Sequence, residues 1–388
     1  MRTSLALKPS QNAILAITSE CRRRKAMGEK VIDLSLGEPD FDTPPRIVAA
    51  ASRALEQGQT RYVPSGGIAP LRVALKRSLK LEGLDYAPQE LLVTCGATGA
   101  LACALQALVR PGSEVLLPVP YFPPYVAQVQ QAGGVPVLVP THREHGFKLT
   151  AEGLRAAVTE RTRLLILNSP NNPTGAVYTR AELEALAAVV LERDLIVLSD
   201  EVYQSLVYGD ARHVSMASLG ELRERVVVLR SFSKSHAMTG WRIGYAAGPR
   251  RIIEEMTLVQ ELAVLSPASV SQWAAVEALN EPTAETASRQ SALDARRRHA
   301  VERLERLTQA PVRAEGAFFV FLELPGPERD VTAFCRYLLD REALALVPGE
   351  VFGVPDGMRL SYAGALAELE EGLTRLERGW ASFTGGLT

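Results

Sequence analysis

The chain has 388 residues, 47% apolar and 22% charged, with 29 glycines and 24 prolines. These are globular proportions, and they exclude disordered, fibrous and low-complexity chains. Its 43 basic and 44 acidic side chains leave a net charge of −1, so no global field draws nucleic acid or an anionic membrane, and the length calls for two domains or one large domain with a satellite.

Met1–Lys8 holds only a three-residue apolar run, Leu5–Leu7, and no secretory signal is read there. A helix is expected over Ala13–Ala26. Its Arg22–Lys25 run, like Arg296–Arg298 later, sits among acids and reads as a solvated helix face. Val31–Leu36 reads as a short strand, Gly37-Glu38-Pro39-Asp40 as a turn cluster, and Pro44-Pro45 as the opening of the next helix. From Leu71 onward, strands and helices alternate. Strands are expected over Leu91–Thr94, Glu114–Leu117, Val135–Val139, Leu164–Leu167, Leu195–Leu198 and Val226–Leu229, and helices over Ala100–Val109, Tyr125–Ala132 and Arg180–Glu192. The strands are short and apolar throughout, as strands buried on both faces are. The alternation implies an α/β fold: a three-layer large domain around a mostly parallel central sheet. A long helix over Glu281–Gln309 leads out to a smaller α/β domain of Phe318–Leu324, Val331–Arg341, Met358–Tyr362 and a closing helix Ala367–Trp380.

Two uncharged stretches are not membrane spans. Leu91–Val109 is interrupted by Thr94-Cys95-Gly96-Ala97-Thr98-Gly99, a strand end, turn and helix start, and Val115–Thr141 carries six prolines. Cys21, Cys95, Cys103 and Cys335 form no C-x-x-C pair or disulfide framework, and His142 and His145 have no third ligand nearby, so no metal site is expected. A soluble, cytoplasmic protein is the expectation.

In parallel sheets, ligands sit beyond the carboxyl ends of the strands, and four segments are expected there. Asn168-Ser169-Pro170-Asn171-Asn172-Pro173-Thr174-Gly175 presents amides on a rigid turn, though alone it is also an ordinary turn. Ser199-Asp200-Glu201-Val202-Tyr203 puts a carboxylate and a phenol where they can converge, while Asp200 alone also suits a helix N-cap. In Ser231-Phe232-Ser233-Lys234 the lysine is either a desolvated amine nucleophile or a surface lysine. Met238-Thr239-Gly240-Trp241-Arg242-Ile243-Gly244-Tyr245 brings Arg242 eight residues past Lys234, where a structural ion pair is the alternative.

Taken in this order, the four segments resemble the class I/II aminotransferases, the aspartate aminotransferase family of pyridoxal-phosphate enzymes (fold type I). The likeness runs from Lys8-Pro9-Ser10 and Gly37-Glu38-Pro39-Asp40-Phe41 to Arg359-Leu360-Ser361-Tyr362, and is closest to the bacterial prephenate/aspartate branch. It implies transfer of an α-amino group between an amino acid and a 2-oxo acid (EC 2.6.1 type), with pyridoxal 5′-phosphate as cofactor and a pyridoxamine-phosphate intermediate. A β-lyase acting on carbon–sulfur bonds is the alternative on the same fold. Lys234 is then the Schiff-base lysine, Asp200 pairs with the pyridine nitrogen, and Tyr203 and Asn172 bond the ring's phenolic oxygen. Gly96, Ala97, Thr98, Ser231, Ser233 and Arg242 hold the phosphate, Phe122 stacks on the ring, and Tyr62 reaches the phosphate from the partner of a homodimer. Arg359 binds the substrate α-carboxylate, with Gly37 offering its N–H to the same group. The family division is a large domain over 46–284 and a small domain over 1–45 and 285–388. Aspartate-using relatives in this branch carry a lysine where Thr98 stands, and Leu262–Pro267 holds no arginine to replace it. A neutral donor, aromatic or aliphatic, is therefore expected, with Asn12 also near its side chain.

Overall fold

A computed structural model of the chain describes residues 13–280, 283–323 and 330–385; the Lys8-Pro9-Ser10 motif and Asn12 lie outside the described residues. In chain order the strands are β1 (Ile32–Asp33), β2 (Leu91–Thr94), β3 (Glu114–Val119), β4 (Val135–Pro140), β5 (Thr162–Asn168), β6 (Ile196–Asp200), β7 (Val226–Ser231), β8 (Gly244–Ala247), β9 (Phe319–Glu323), β10 (Leu344–Ala345), β11 (Val347–Pro348) and β12 (Gly357–Ser361). Seven of them form one sheet in the order β2-β8-β7-β6-β5-β3-β4. Only β8 runs antiparallel to its neighbours, so the sheet is mostly parallel, as expected.

Both faces of this sheet are covered. Val226 and Val228 of β7 pack on one side with Leu75, Leu186 and Ala275 from the helices Ala69–Leu81, Arg180–Glu192 and Ser269–Ala278. Val227 and Leu229 pack on the other with Leu101, Leu105, Ile253 and Met256 from Gly96–Leu108 and Arg250–Val264. Alternate residues of one strand thus feed two cores, which is why the run reads as continuously apolar. The sheet edge β4 contains Pro136 and Pro140, and its Val135 and Leu138 are exposed. A strand lacking donors belongs at an edge.

Strand β8 was not anticipated, because Gly-Tyr-Ala-Ala is short and poor in branched residues. Its reversed direction corrects the placement of the fourth segment. Arg242 does not follow a strand; it precedes β8, whose start lies at the same sheet edge as the ends of the parallel strands. The strand expected over Val31–Leu36 shrinks to β1, paired with β10. There the Asp33 side chain accepts hydrogen bonds from the Ser35 N–H and hydroxyl, a local closure that competes with further pairing.

The remaining strands β11-β12-β9 form an antiparallel sheet. With the helices Thr283–Thr308, Val331–Arg341 and Leu366–Gly385, it encloses a core containing Phe318, Phe319, Phe334, Leu338, Leu360 and Leu373. Among the described residues, no helix is long and apolar enough to cross a membrane.

Candidate active site

The ends of β5, β6 and β7 build one wall of a cavity of about 280 Å³. After β5, the Asn168 side chain donates to the carbonyls of Asp200 (3.0 Å) and Pro170 (3.1 Å) and accepts from the Asn172 N–H (2.8 Å). This ties the turn to the neighbouring strand. The Asp200 carboxylate accepts from the Tyr125 hydroxyl at 2.6 Å and the Val202 N–H at 3.2 Å. Burial pushes its carboxyl up to about 6; these two hydrogen bonds oppose the shift and the Glu201 charge adds to it. Tyr203 is buried edge-on against Phe318 and Phe319, at 5.3 and 5.9 Å between ring centroids, and burial raises its phenol.

Lys234 lies in the single turn Phe232–Ser235 that follows β7. Its Nζ donates to the Gly37 carbonyl at 2.6 Å. Burial lowers its ammonium to about 8, the Glu38 charge working against this and those of Arg242 and Arg359 with it. Ser231 starts that turn, its Oγ accepting from the Ser233 N–H (3.1 Å) and donating to the Ser233 hydroxyl (2.9 Å). Opposite stands the start of the helix Gly96–Leu108, where the first N–H groups have no partner within the helix. Gly96 has φ +69°, and a Cβ there would come within 3.0 Å of Arg242 Nη2. The guanidinium is therefore held against bare backbone.

Arg359 on β12 is 2% exposed. It donates from Nη1 to Asn172 Oδ1 (2.8 Å) and from Nη2 to the Ser35 carbonyl (2.6 Å), and its cation lies over the Phe319 ring at 4.3 Å. Burial lowers its guanidinium to about 10, and Tyr203 and Asp33 act in the opposite direction. Its Nε has no hydrogen-bond partner. Among the described residues, neither Arg359 nor Asp200 makes an ion pair.

Asn12 aside, every site residue expected from sequence lines this cavity except Gly96, whose backbone lies against Arg242, and Tyr62, which is 91% exposed and outside the lining. Sequence reasoning missed Tyr125, Gln128, Leu101 and Ile14, which also line it. The spacing of Phe122 and Tyr125 was the available signal for Tyr125, but an aromatic pair at i, i+3 reads equally as core packing.

One cavity gathers a depressed lysine and a buried carboxylate from the ends of the parallel strands and, from β12 of the other sheet, an arginine without an ion pair; this set suits an enzyme that handles amino acids, and the comparisons specify which kind. Residues 29–376 match the family model of aminotransferase class I and II, and the chain belongs to that family: it is a transferase that moves amino groups. It is 43% identical to an aspartate aminotransferase of Geobacillus stearothermophilus, over 96% of each chain. The solved aspartate aminotransferase of Thermus thermophilus with maleate superposes with a TM-score of 0.91 at 38% identity, covering 98% of this chain and 100% of that one. The aromatic aminotransferase from Pyrococcus horikoshii superposes with a TM-score of 0.87 at 41% identity, covering 92% and 98%. These names do not favour the lyase alternative.

Proposed function

We propose that this cavity holds pyridoxal 5′-phosphate and exchanges amino groups between an amino acid and a 2-oxo acid. The observation carrying the proposal is the pair of unpaired buried charges: Asp200 suits a protonated ring nitrogen, and Arg359 a carboxylate. The donor set fits the cofactor on its other sides too. The helix start at Gly96, Ala97 and Thr98, with Ser231, Ser233 and Arg242, suits a phosphate, and Phe122 supplies an aromatic face. When bound, the group supplies an electrophilic carbonyl and an electron-withdrawing ring.

The protein's own groups do the rest. Lys234 Nζ, neutral above about pH 8, provides the attaching amine and then carries a proton to and from the reacting carbons. Asp200 holds a proton on the ring nitrogen, and the Tyr125 hydroxyl orients Asp200. With Oδ1 turned to Arg359, Asn172 offers its NH₂ to the ring oxygen, and Tyr203 offers its hydroxyl. Arg359 and the Gly37 N–H fix the substrate α-carboxylate. Tyr62 completes the phosphate site of a partner subunit, so the working unit is a homodimer. Residues 46–284 form the large domain, and residues 1–45 and 285–388 a small domain that closes over substrate. Four free cysteines support a reducing, cytoplasmic setting.

The donor we assign has a neutral side chain. Ile14, Leu101, Phe122 and Pro124 give the cavity an apolar wall, and its polar neighbours Thr98 and Gln128 are uncharged. The Geobacillus relative's name carries aspartate, so a donor panel decides between the two. Purified protein loaded with pyridoxal phosphate is mixed with one amino acid and no acceptor, and absorbance is followed together with 2-oxo acid release. Conversion of the bound cofactor with one equivalent of 2-oxo acid is expected, fastest with aromatic or aliphatic donors. Protein that takes up no cofactor sinks the site assignment, and aspartate as the fastest donor sinks the neutral-donor assignment.

A further inference from the structure

Directly behind the site, on the opposite face of the strand ends, lies a second set of buried charges that the proposed chemistry does not use. Glu201 follows Asp200 and Arg230 precedes Ser231, and both are 1% exposed. Arg230 donates from Nε and Nη2 to Glu201 Oε2 at 3.0 and 2.8 Å, and from Nη1 to Glu82 at 2.7 Å. The other Glu201 oxygen accepts from the hydroxyls of Ser199 (3.0 Å) and Ser215 (2.6 Å), and His213 Nε2 stands 3.2 Å from Oε2. The phenols of Tyr86 and Tyr245 are close enough to interact with the charges of the same cluster. The Glu201 N–H donates to the Leu229 carbonyl at 2.9 Å, so the ion pair sits where the β6–β7 ladder ends.

We propose that the Glu201–Arg230 pair is a positioning element: it locks the ends of β6 and β7 together from behind and so fixes Asp200 relative to Ser231 and Lys234. Side chains alternate along a strand, so Asp200 and Ser231 face the cavity while Glu201 and Arg230 face away. A fork of two charge-assisted bonds between adjacent strands defines their relative position more tightly than the ladder alone at its last residue. The Asp200 carbonyl is held from the other side by Asn168 and by the Ser169 N–H at 3.1 Å. The peptide between Asp200 and Glu201 is thus clamped on both flanks. This inference rests on the site reading above, since it concerns alignment of the groups that hold cofactor and phosphate.

Glu201→Gln tests it in the full-length protein loaded with pyridoxal phosphate. The expected variant binds as much cofactor as wild type and keeps KM for the donor within about twofold, because Arg359 is untouched. Its kcat falls about tenfold through misalignment. The pH midpoint of the bound cofactor's absorbance moves downward, because one negative charge behind the site is gone. Wild-type kcat and midpoint, with only a lowered Tm, would make the pair purely structural and overturn the proposal. Should Glu201→Gln not fold, the double variant Glu201→Leu/Arg230→Met decides, since apolar replacement of a buried pair tends to preserve stability. The same tenfold loss of kcat is expected there, and a wild-type kcat overturns the proposal. Wild-type protein that binds no cofactor is a different failure, that of the site reading itself.

Discussion

Asp200 illustrates a residue kept at an energetic disadvantage for the sake of a site. Its carboxyl sits at about 6 in the folded protein against an ordinary 3.8. A carboxyl raised in this way contributes stability that is complete below the unfolded pKa and lost as the pH rises through about 6. Above that, the ionised group costs roughly 3 kcal/mol relative to the unfolded chain. In cofactor-free protein, Asp200→Asn is therefore expected to raise stability by about 2–3 kcal/mol at about pH 8. The gain should vanish near about pH 4, while amino-group transfer is lost. Urea denaturation at both pH values checks this; an equal difference at the two would refute it. Arg359 has the opposite charge and a different task. Arg359→Lys keeps the charge but loses the fork and leaves Asn172 Oδ1 or the Ser35 carbonyl unsatisfied. A roughly hundredfold fall in kcat/KM, carried mainly by KM, is expected from steady-state kinetics.

At the scale of the element, the decisive feature is how closely β8 approaches the start of the helix Gly96–Leu108. A Cβ on Gly244 would lie 2.6 Å from the Arg230 carbonyl oxygen, 2.8 Å from the Gly96 carbonyl carbon and 2.9 Å from the Ala97 nitrogen. All three are backbone atoms and cannot rotate away. Gly244→Ala should therefore destabilise the protein by about 1–3 kcal/mol and weaken cofactor affinity more than the stability loss alone explains, because the helix start is pushed outward. Thermal melts with and without pyridoxal phosphate separate the two effects. A variant with normal affinity would show that the helix start does not hold the phosphate.

The whole molecule leaves a set of large side chains uncovered. Tyr62 and Leu262 are each 91% exposed, and Leu258 is 57% exposed. Such exposure is what the proposed homodimer would cover if these side chains lie in its interface. On the proposal that Tyr62 completes the phosphate site of a partner subunit, Tyr62→Ala should weaken cofactor binding about tenfold through loss of a phosphate hydrogen bond. Mixing it with inactive Lys234→Ala should restore one site of normal affinity per mixed dimer. Sedimentation as a 42.1 kDa monomer, or mixing without rescue, would refute the shared site.

How much of this was legible beforehand depends on what each residue answers to. The helix Arg180–Glu192 was readable to the residue, because Thr179 and Glu182 cap its start reciprocally and its signal is local. The buried strands were readable from unbroken apolar runs, and the four motif segments from their order along the chain. Strand β8, the Tyr125–Asp200 bond and the Glu201–Arg230 pair were not, since each joins residues far apart in sequence whose types are unremarkable alone. The α/β class, the layers and the chemical groups available follow from periodicity and residue type, which are properties of the chain. Which of those groups end up buried without a partner does not follow from them. Desolvation and pairing depend on what the rest of the fold brings beside them, and that is where Lys234, Asp200 and Arg359 acquire their chemistry.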